Sequence, residues 1–233
     1  MKLLVFCGSE VKMKKSLIDH ILIFIFRQIK HTEIMSRNMR KPENIFLSLI
    51  AKRVMYFGNQ KVIEDSVERL EIDAHDVVME IGSGNGQAIA EIKRREPSEI
   101  YAVEISEEFR KGLRSRFKGE NIHIIENDAS DLAGVIPDKT VNKILLINVI
   151  YFLDPLELYL EEFNRMLKRD GVVFIAGKFR SVKGFDRKIF KNTDLEKLLP
   201  VLKRYFSVCS TYVDLGEESS QYQAIQLTKR TGE

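Results

Sequence analysis

Chemistry is most legible in the run Glu80-Ile81-Gly82-Ser83-Gly84-Asn85-Gly86, with a second acid, Glu104, 18 residues beyond Gly86. Three glycines on alternate positions let a backbone turn sharply and approach a ligand with no side chain in the way. Glu104 closes the apolar run Ile100-Tyr101-Ala102-Val103, a place from which an acid can accept from both hydroxyls of a ribose. The dinucleotide fingerprint G-x-G-x-x-G would need a glycine at 87, where Gln87 stands. A carboxylate at Glu80 repels a pyrophosphate and suits a cationic ligand.

These residues need elements to hold them. Val77-Val78-Met79 reads as a buried strand leading into the turn, and Gln87 to Ile92 as a helix whose first N–H groups face the same ligand. Further strands are expected at Ile100–Ile105, Asn121–Asp128, Val141–Ile150 and Val172–Ala176, the fourth apolar enough to be central. Ser106 is an N-cap with Glu107 and Glu108 in the first turn. Asp154-Pro155-Leu156-Glu157 reads as cap, proline at N1 and glutamate at N3 of a helix running to about Lys168 and ending at Asp170-Gly171. Strands alternating with helices imply an α/β, doubly wound, mostly parallel sheet with ligands at the strands' carboxyl ends. The tail differs. Phe206–Leu215 and Gln221–Thr228 are separated by only Gly216–Ser220, too short for a crossover, so they form an antiparallel hairpin that closes a seven-stranded sheet.

Upstream of the sheet, Ile45, Phe46, Leu49, Ile50 and Val54 recur at helical spacing with Gly58 as the expected stop, and a second helix follows from about Lys61 to Leu70. Residues 39–72 are thus read as helices covering the site of a domain spanning 39–233. Residues 1–38 form a basic and apolar extension. Residues 1–61 hold twelve Lys/Arg against four Asp/Glu, a net +8, while the remainder is −5. The run Ser16–Phe26 is interrupted by Asp19 and His20 and is too short to span a bilayer. Its readings stay open: a helix packed on the domain or a partly disordered arm, or interfacial attachment to a membrane through its basic flanks. Cys7 and Cys209 lack metal-ligand spacing and a disulfide framework, which fits a cytoplasmic, reducing compartment; Cys209 is read as a packed strand residue. No metal site is expected, and His20, His31, His75 and His123 show no partner spacing. The oligomeric state is not written in the sequence.

S-adenosylmethionine carries an ammonium, a sulfonium and no phosphate, which matches the chemistry at Glu80. The chain resembles the class I S-adenosylmethionine-dependent methyltransferases, of the methyltransferase type 11-like, small-molecule branch that includes quinone-precursor methylating enzymes. The resemblance covers about residues 39–230. It is carried by Glu80-Ile-Gly-Ser-Gly-Asn-Gly86, Ala102-Val-Glu-Ile105, Asn127-Asp-Ala129, Ile147-Asn-Val-Ile-Tyr-Phe152 and the Met166-Leu-Lys-Arg-Asp-Gly171 helix end. It implies a Rossmann-like methyltransferase fold and S-adenosylmethionine as cofactor.

Residue by residue, the resemblance places Glu80 toward the methionine ammonium through water. Gly82, Ser83, Gly84 and Gly86 bring backbone to the methionine and ribose, and Glu104 with Ile105 binds the ribose. Asp128 accepts from the adenine amino group with the Ala129 N–H on the ring. Asn148 borders the sulfonium, and Asn59 closes over the cofactor. Tyr151 and Phe152 belong to the acceptor pocket. No catalytic base is identified, consistent with a donor that already carries a good leaving group. The stretch Asn148-Val149-Ile150-Tyr151 lacks the prolines of an Asn-Pro-Pro-Tyr motif, and no basic patch interleaved with aromatics adjoins the site. A small-molecule or lipid-like acceptor, and no nucleic acid, is therefore expected. Two other readings remain: a non-catalytic S-adenosylmethionine-binding partner subunit, and a nicotinamide-dependent oxidoreductase.

Overall fold

The structure is a computed structural model and describes residues 16–41 and 44–230. Seven strands form one sheet in the order β3-β2-β1-β4-β5-β7-β6. They are β1 (Val77–Ile81), β2 (Glu99–Val103), β3 (Ile122–Ile125), β4 (Val141–Ile147), β5 (Leu167–Gly177), β6 (Ser207–Val213) and β7 (Tyr222–Thr228). β1 to β5 pair in parallel, whereas β7 lies antiparallel between β5 and β6. The expected hairpin and its reversed closing strand are both present, and β4 is the middle strand.

The helices are α1 (Leu17–Ile29), α2 (Glu33–Arg40), α3 (Ile45–Arg69), α4 (Gln87–Lys93), α5 (Glu107–Arg116), α6 (Leu156–Met166), α7 (Phe179–Val182) and α8 (Leu195–Tyr205). Two apolar cores cover the two sheet faces, because alternate strand residues point to opposite sides. Met79, Ile81, Ile144 and Leu146 pack toward α6 and α8, while Val78, Ala102 and Leu145 pack toward α3, α4 and α5.

Four expectations are corrected. Gly58 does not stop a helix: α3 runs unbroken for 25 residues. A glycine inside a helix costs only about 1 kcal/mol relative to alanine, and the residues beyond it, Val62, Ile63 and Val67, return that cost by packing into the core. Helix α6 is capped by Pro155 in extended conformation, not by Asp154, and it ends at Met166 rather than Lys168. Leu167 turns extended and pairs with Val141, so β5 begins five residues before the expected Val172. Cys209 is exposed, since β6 is the sheet's edge strand and this position points outward.

Asp19 does not interrupt the N-terminal helix. Its carboxylate completes a capping box with Ser16 at the start of α1 and pairs with Arg53 of α3, so α1 is fastened onto the domain. His31 Nδ1 lies 2.6 Å from the Gly184 carbonyl oxygen, a second tie from the α1–α2 connection. The residues around Cys7 and the basic cluster Lys12 to Lys15 lie outside the described part.

Candidate functional site

Beyond β1 the chain turns through Gly82, Gly84 and Gly86, with φ of 72°, 51° and 76°. The three glycines answer to different needs. A Cβ at Gly82 would sit 2.5 Å from Val149 Cγ2, and one at Gly86 would sit 2.7 Å from both Leu113 and Phe117. At Gly84 only the Gly82 carbonyl oxygen is near, at 3.9 Å. Gly84 therefore leaves the ligand side open, whereas Gly86 caps α4 and is required by the packing of the turn on α5. Gly82 and Gly84 line a cavity at the carboxyl ends of the strands; Gly86 does not. Ser83 also stays outside it: its N–H donates to the Val103 carbonyl at 3.2 Å and its hydroxyl to the Glu80 carbonyl at 3.3 Å.

Both acids are buried. Glu104 lines the cavity, with Oε2 accepting the Gly84 N–H at 2.8 Å and Oε1 accepting the Ser106 N–H at 2.7 Å. Burial pushes its carboxyl above the usual range despite those bonds. Glu80 lies beneath the turn, 4% exposed, and its Oε2 has no hydrogen-bond partner. Burial, reinforced by the charge of Glu104, pushes the Glu80 carboxyl well up. Two carboxyl groups held reluctant to ionise describe a site that gains from a positive ligand.

Across the cavity stand Ile105, Asp128 and Ala129, with Phe109 and Tyr159 beside them. Asp128 Oδ1 accepts the Ser130 N–H at 3.0 Å and its hydroxyl at 2.8 Å. Burial first, then the neighbouring Asp128, raise the Tyr159 hydroxyl to about 12. The result is an apolar slot with one acid at its edge.

Asn148 follows β4 in the left-handed region, φ 58°, with its N–H donating to the Ala176 carbonyl at 2.8 Å. Its Nδ2 donates to Asn59 Oδ1 at 3.2 Å, and its Oδ1 accepts the Lys178 N–H at 3.2 Å. Asn148 and Phe152 line both this cavity and a second, larger one of about 430 Å³ that also takes in Asn59, Tyr151 and Lys178. Asn59 and Asn148, 89 residues apart in sequence, are thus brought together, but Asn59 lines only the larger cavity and not the one beside the glycine turn. Tyr151 is 1% exposed and packed edge-on against Phe179.

Sequence reasoning missed Lys178. Its position offered a signal, since it directly follows the carboxyl end of β5, where open α/β sheets place their ligands. Met39 and Arg40 of α2 and Met55 of α3 were also missed. Helical periodicity shows that a face is apolar but not which residues of it reach a cavity. Among the described residues, no group of three or more His, Cys, Asp or Glu could hold a metal ion.

Residues 79–175, from within β1 to within β5, match the family described as "Methyltransferase domain". The match takes in less than half of the chain and, with the strand order of the sheet, supports a class I, S-adenosylmethionine-dependent methyltransferase domain. Among proteins similar to this chain is the ribosomal RNA small subunit methyltransferase A of Persephonella marina, 30% identical over 161 residues, covering 63% of this chain and 59% of that one. Another is the protein-L-isoaspartate O-methyltransferase 2 of Pelobacter propionicus, 26% identical over 125 residues, covering 52% of this chain and 55% of that one. The chain thus spans less than two thirds of either. A solved SAM-dependent methyltransferase from Archaeoglobus fulgidus shares the fold, with a TM-score of 0.63 at 17% identity over 80% of this chain and 100% of that one. The family's cofactor is S-adenosylmethionine. The orphaned Glu80 Oε2 and the open side of Gly84 fit it: one suits a water-bridged ammonium, the other a close backbone approach.

Proposed function

We propose that the chain transfers a methyl group from S-adenosylmethionine to a small, largely apolar acceptor seated in the larger cavity. One observation carries the reading: the two cavities share Met39, Met55, Asn148 and Phe152, so cofactor and acceptor would meet across Asn148. A 430 Å³ aromatic cleft with a few polar groups is the form a small-molecule site takes.

In this reading Glu104 accepts from the ribose hydroxyls, Asp128 from the adenine amino group, and Glu80 answers the methionine ammonium. Bound S-adenosylmethionine supplies a methyl group on a sulfonium leaving group. Asn148 and Phe152, which line both cavities, would hold the acceptor's nucleophilic atom beside that methyl group. Positioning of this kind supplies roughly 7–11 kcal/mol of barrier reduction. Phe152 and Met55, lining the junction, would exclude water from it.

Two of the similar proteins act on macromolecules by name, which makes the acceptor class the point to test. Transfer of tritiated methyl should be assayed against a metabolite extract, ribosomal RNA and protein. Label is expected in the extractable small-molecule pool, and label confined to RNA or protein refutes the reading. Cofactor binding without turnover on any of the three would instead mark a non-catalytic binding subunit.

Exposed Leu17, Ile18, Ile21 and Phe24 on α1, with Phe46 and Leu49 on α3, support peripheral contact with a lipid surface. Sedimentation with anionic vesicles tests that contact; a chain left wholly in the supernatant refutes it. Among the described residues no helix is long and apolar enough to cross a membrane. A cytoplasmic location is proposed on the cysteine usage.

A further inference from the structure

Lys178 is a half-buried cation that, among the described residues, has no carboxylate in ion-pair contact with it. Its Nζ donates to the Gly58 carbonyl at 2.6 Å and to Asn59 Oδ1 at 2.7 Å, both neutral acceptors. An ammonium carries three protons, so one donor is left over, and Lys178 lines the larger cavity. In the same wall the Tyr151 hydroxyl is buried without a hydrogen-bond partner. The surrounding surface is apolar, built from Phe26, Phe57, Phe185 and Phe190. Arg27 and Lys30 of α1 and Glu218, on the turn before β7, are the other charged groups along it.

We infer, building on the proposed methyl transfer, that Lys178 and Tyr151 select an acceptor with an apolar body and an oxyanion head, a carboxylate or phenolate. A buried hydroxyl without a partner and a half-buried ammonium with a proton to spare are costly in an apolar wall, and an anionic oxygen satisfies both at once. An alcohol oxygen can accept from both donors but leaves the charge unanswered. An amine adds like charge beside Lys178. Burial lowers the Lys178 ammonium to about 8, so it is still charged at pH 7, and an anionic partner strengthens that charge. An oxyanion head also removes the need for a base if its own oxygen takes the methyl, since no proton has to leave.

The test uses the full chain and three matched probes, 2-naphthoate, 2-naphthalenemethanol and 2-naphthylmethylamine, titrated by fluorescence at pH 7. Tenfold or greater preference for naphthoate over the alcohol is expected, with the amine weakest. Lys178→Met should lose the preference and Lys178→Arg should keep it, while Tyr151→Phe should weaken naphthoate alone by several-fold. The preference should fade above pH 8, where Lys178 discharges. Equal binding of the three probes, or a preference that survives in Lys178→Met but disappears in Arg27→Ala/Lys30→Ala, overturns the inference. S-adenosylmethionine binding, followed by calorimetry in every variant, reports separately on the fold. Its absence from the wild type would sink the methyltransferase reading while leaving the probe preference measurable.

Discussion

Gly86→Ala isolates the packing demand of the glycine turn from its ligand-facing part. The left-handed φ of 76° costs an alanine about 1–2 kcal/mol. Its Cβ would also sit 2.7 Å from Leu113 Cδ2 and from the Phe117 ring, both in the core. Overpacking of that kind costs about 1–3 kcal/mol, and the stiffer unfolded chain returns about 0.4–1 kcal/mol. A net loss of about 1–4.6 kcal/mol should follow, lowering the melting temperature by roughly 2–18 °C for a chain of this size. Gly84→Ala meets nothing closer than a carbonyl oxygen at 3.9 Å, so its melting temperature should move by only a few degrees. Its damage should appear instead in calorimetry, as tenfold or greater loss of cofactor affinity. Thermal unfolding by circular dichroism reads the first quantity. Adding Leu113→Ala to Gly86→Ala makes room for the new methyl, so the double variant should lose less than the sum of the two. A Gly86→Ala melting point within 2 °C of wild type, or strict additivity with Leu113→Ala, refutes the packing argument.

Glu104→Ala removes the acceptor of the Gly84 and Ser106 N–H groups as well as a cavity wall, and buried donors left without partners cost about 1–3 kcal/mol each. Cofactor affinity should fall at least tenfold by calorimetry, and unchanged affinity would show that Glu104 does not face the ligand. The raised Glu80 and Glu104 carboxyls make binding pH-dependent. A cationic ligand lowers both, so binding releases protons, and affinity should rise with pH from the bound carboxyl values up to the raised free ones, then level off. Calorimetry in buffers of different ionisation enthalpy counts those protons; zero release contradicts the carboxyl assignment. Asn148→Gly keeps the left-handed backbone at φ 58° but deletes the side-chain bonds to Asn59 and the Lys178 N–H. Near-wild-type stability with a reduced methyl-transfer rate is expected, and an unaltered rate would remove Asn148 from the site.

The alternation of strands and helices was legible because the central strands β1 and β4 are apolar, largely buried runs closed by turn chemistry, a local property. The hairpin was legible for a similar reason: the chain between Leu215 and Gln221 is too short to cross the sheet. What the sequence hid is long-range. Asp19 looks like a flaw in an apolar run until Arg53, 34 residues on, is placed beside it. Gly58 looks like a stop until the apolar face beyond it finds the core. Gly86 carries the same signature as Gly84, and only the position of α5 tells the packing glycine from the open one. Lys178 is one lysine among 37 basic residues, and only its burial beside Asn59 and Gly58 sets it apart.

The reversed end of the sheet bears on how this chain is made. β5 adjoins the central strand and ends beside Lys178, yet its second neighbour is β7, paired from Val172↔Thr228 to Gly177↔Gln223. A ribosome delivers β5 well before β7. Until residues 222–228 emerge, β5 offers a bare row of N–H and C=O groups to any passing strand. Sheet closure therefore waits on late synthesis, so a chaperone that shields the nascent β5 edge should raise the soluble yield more than one acting on the finished chain.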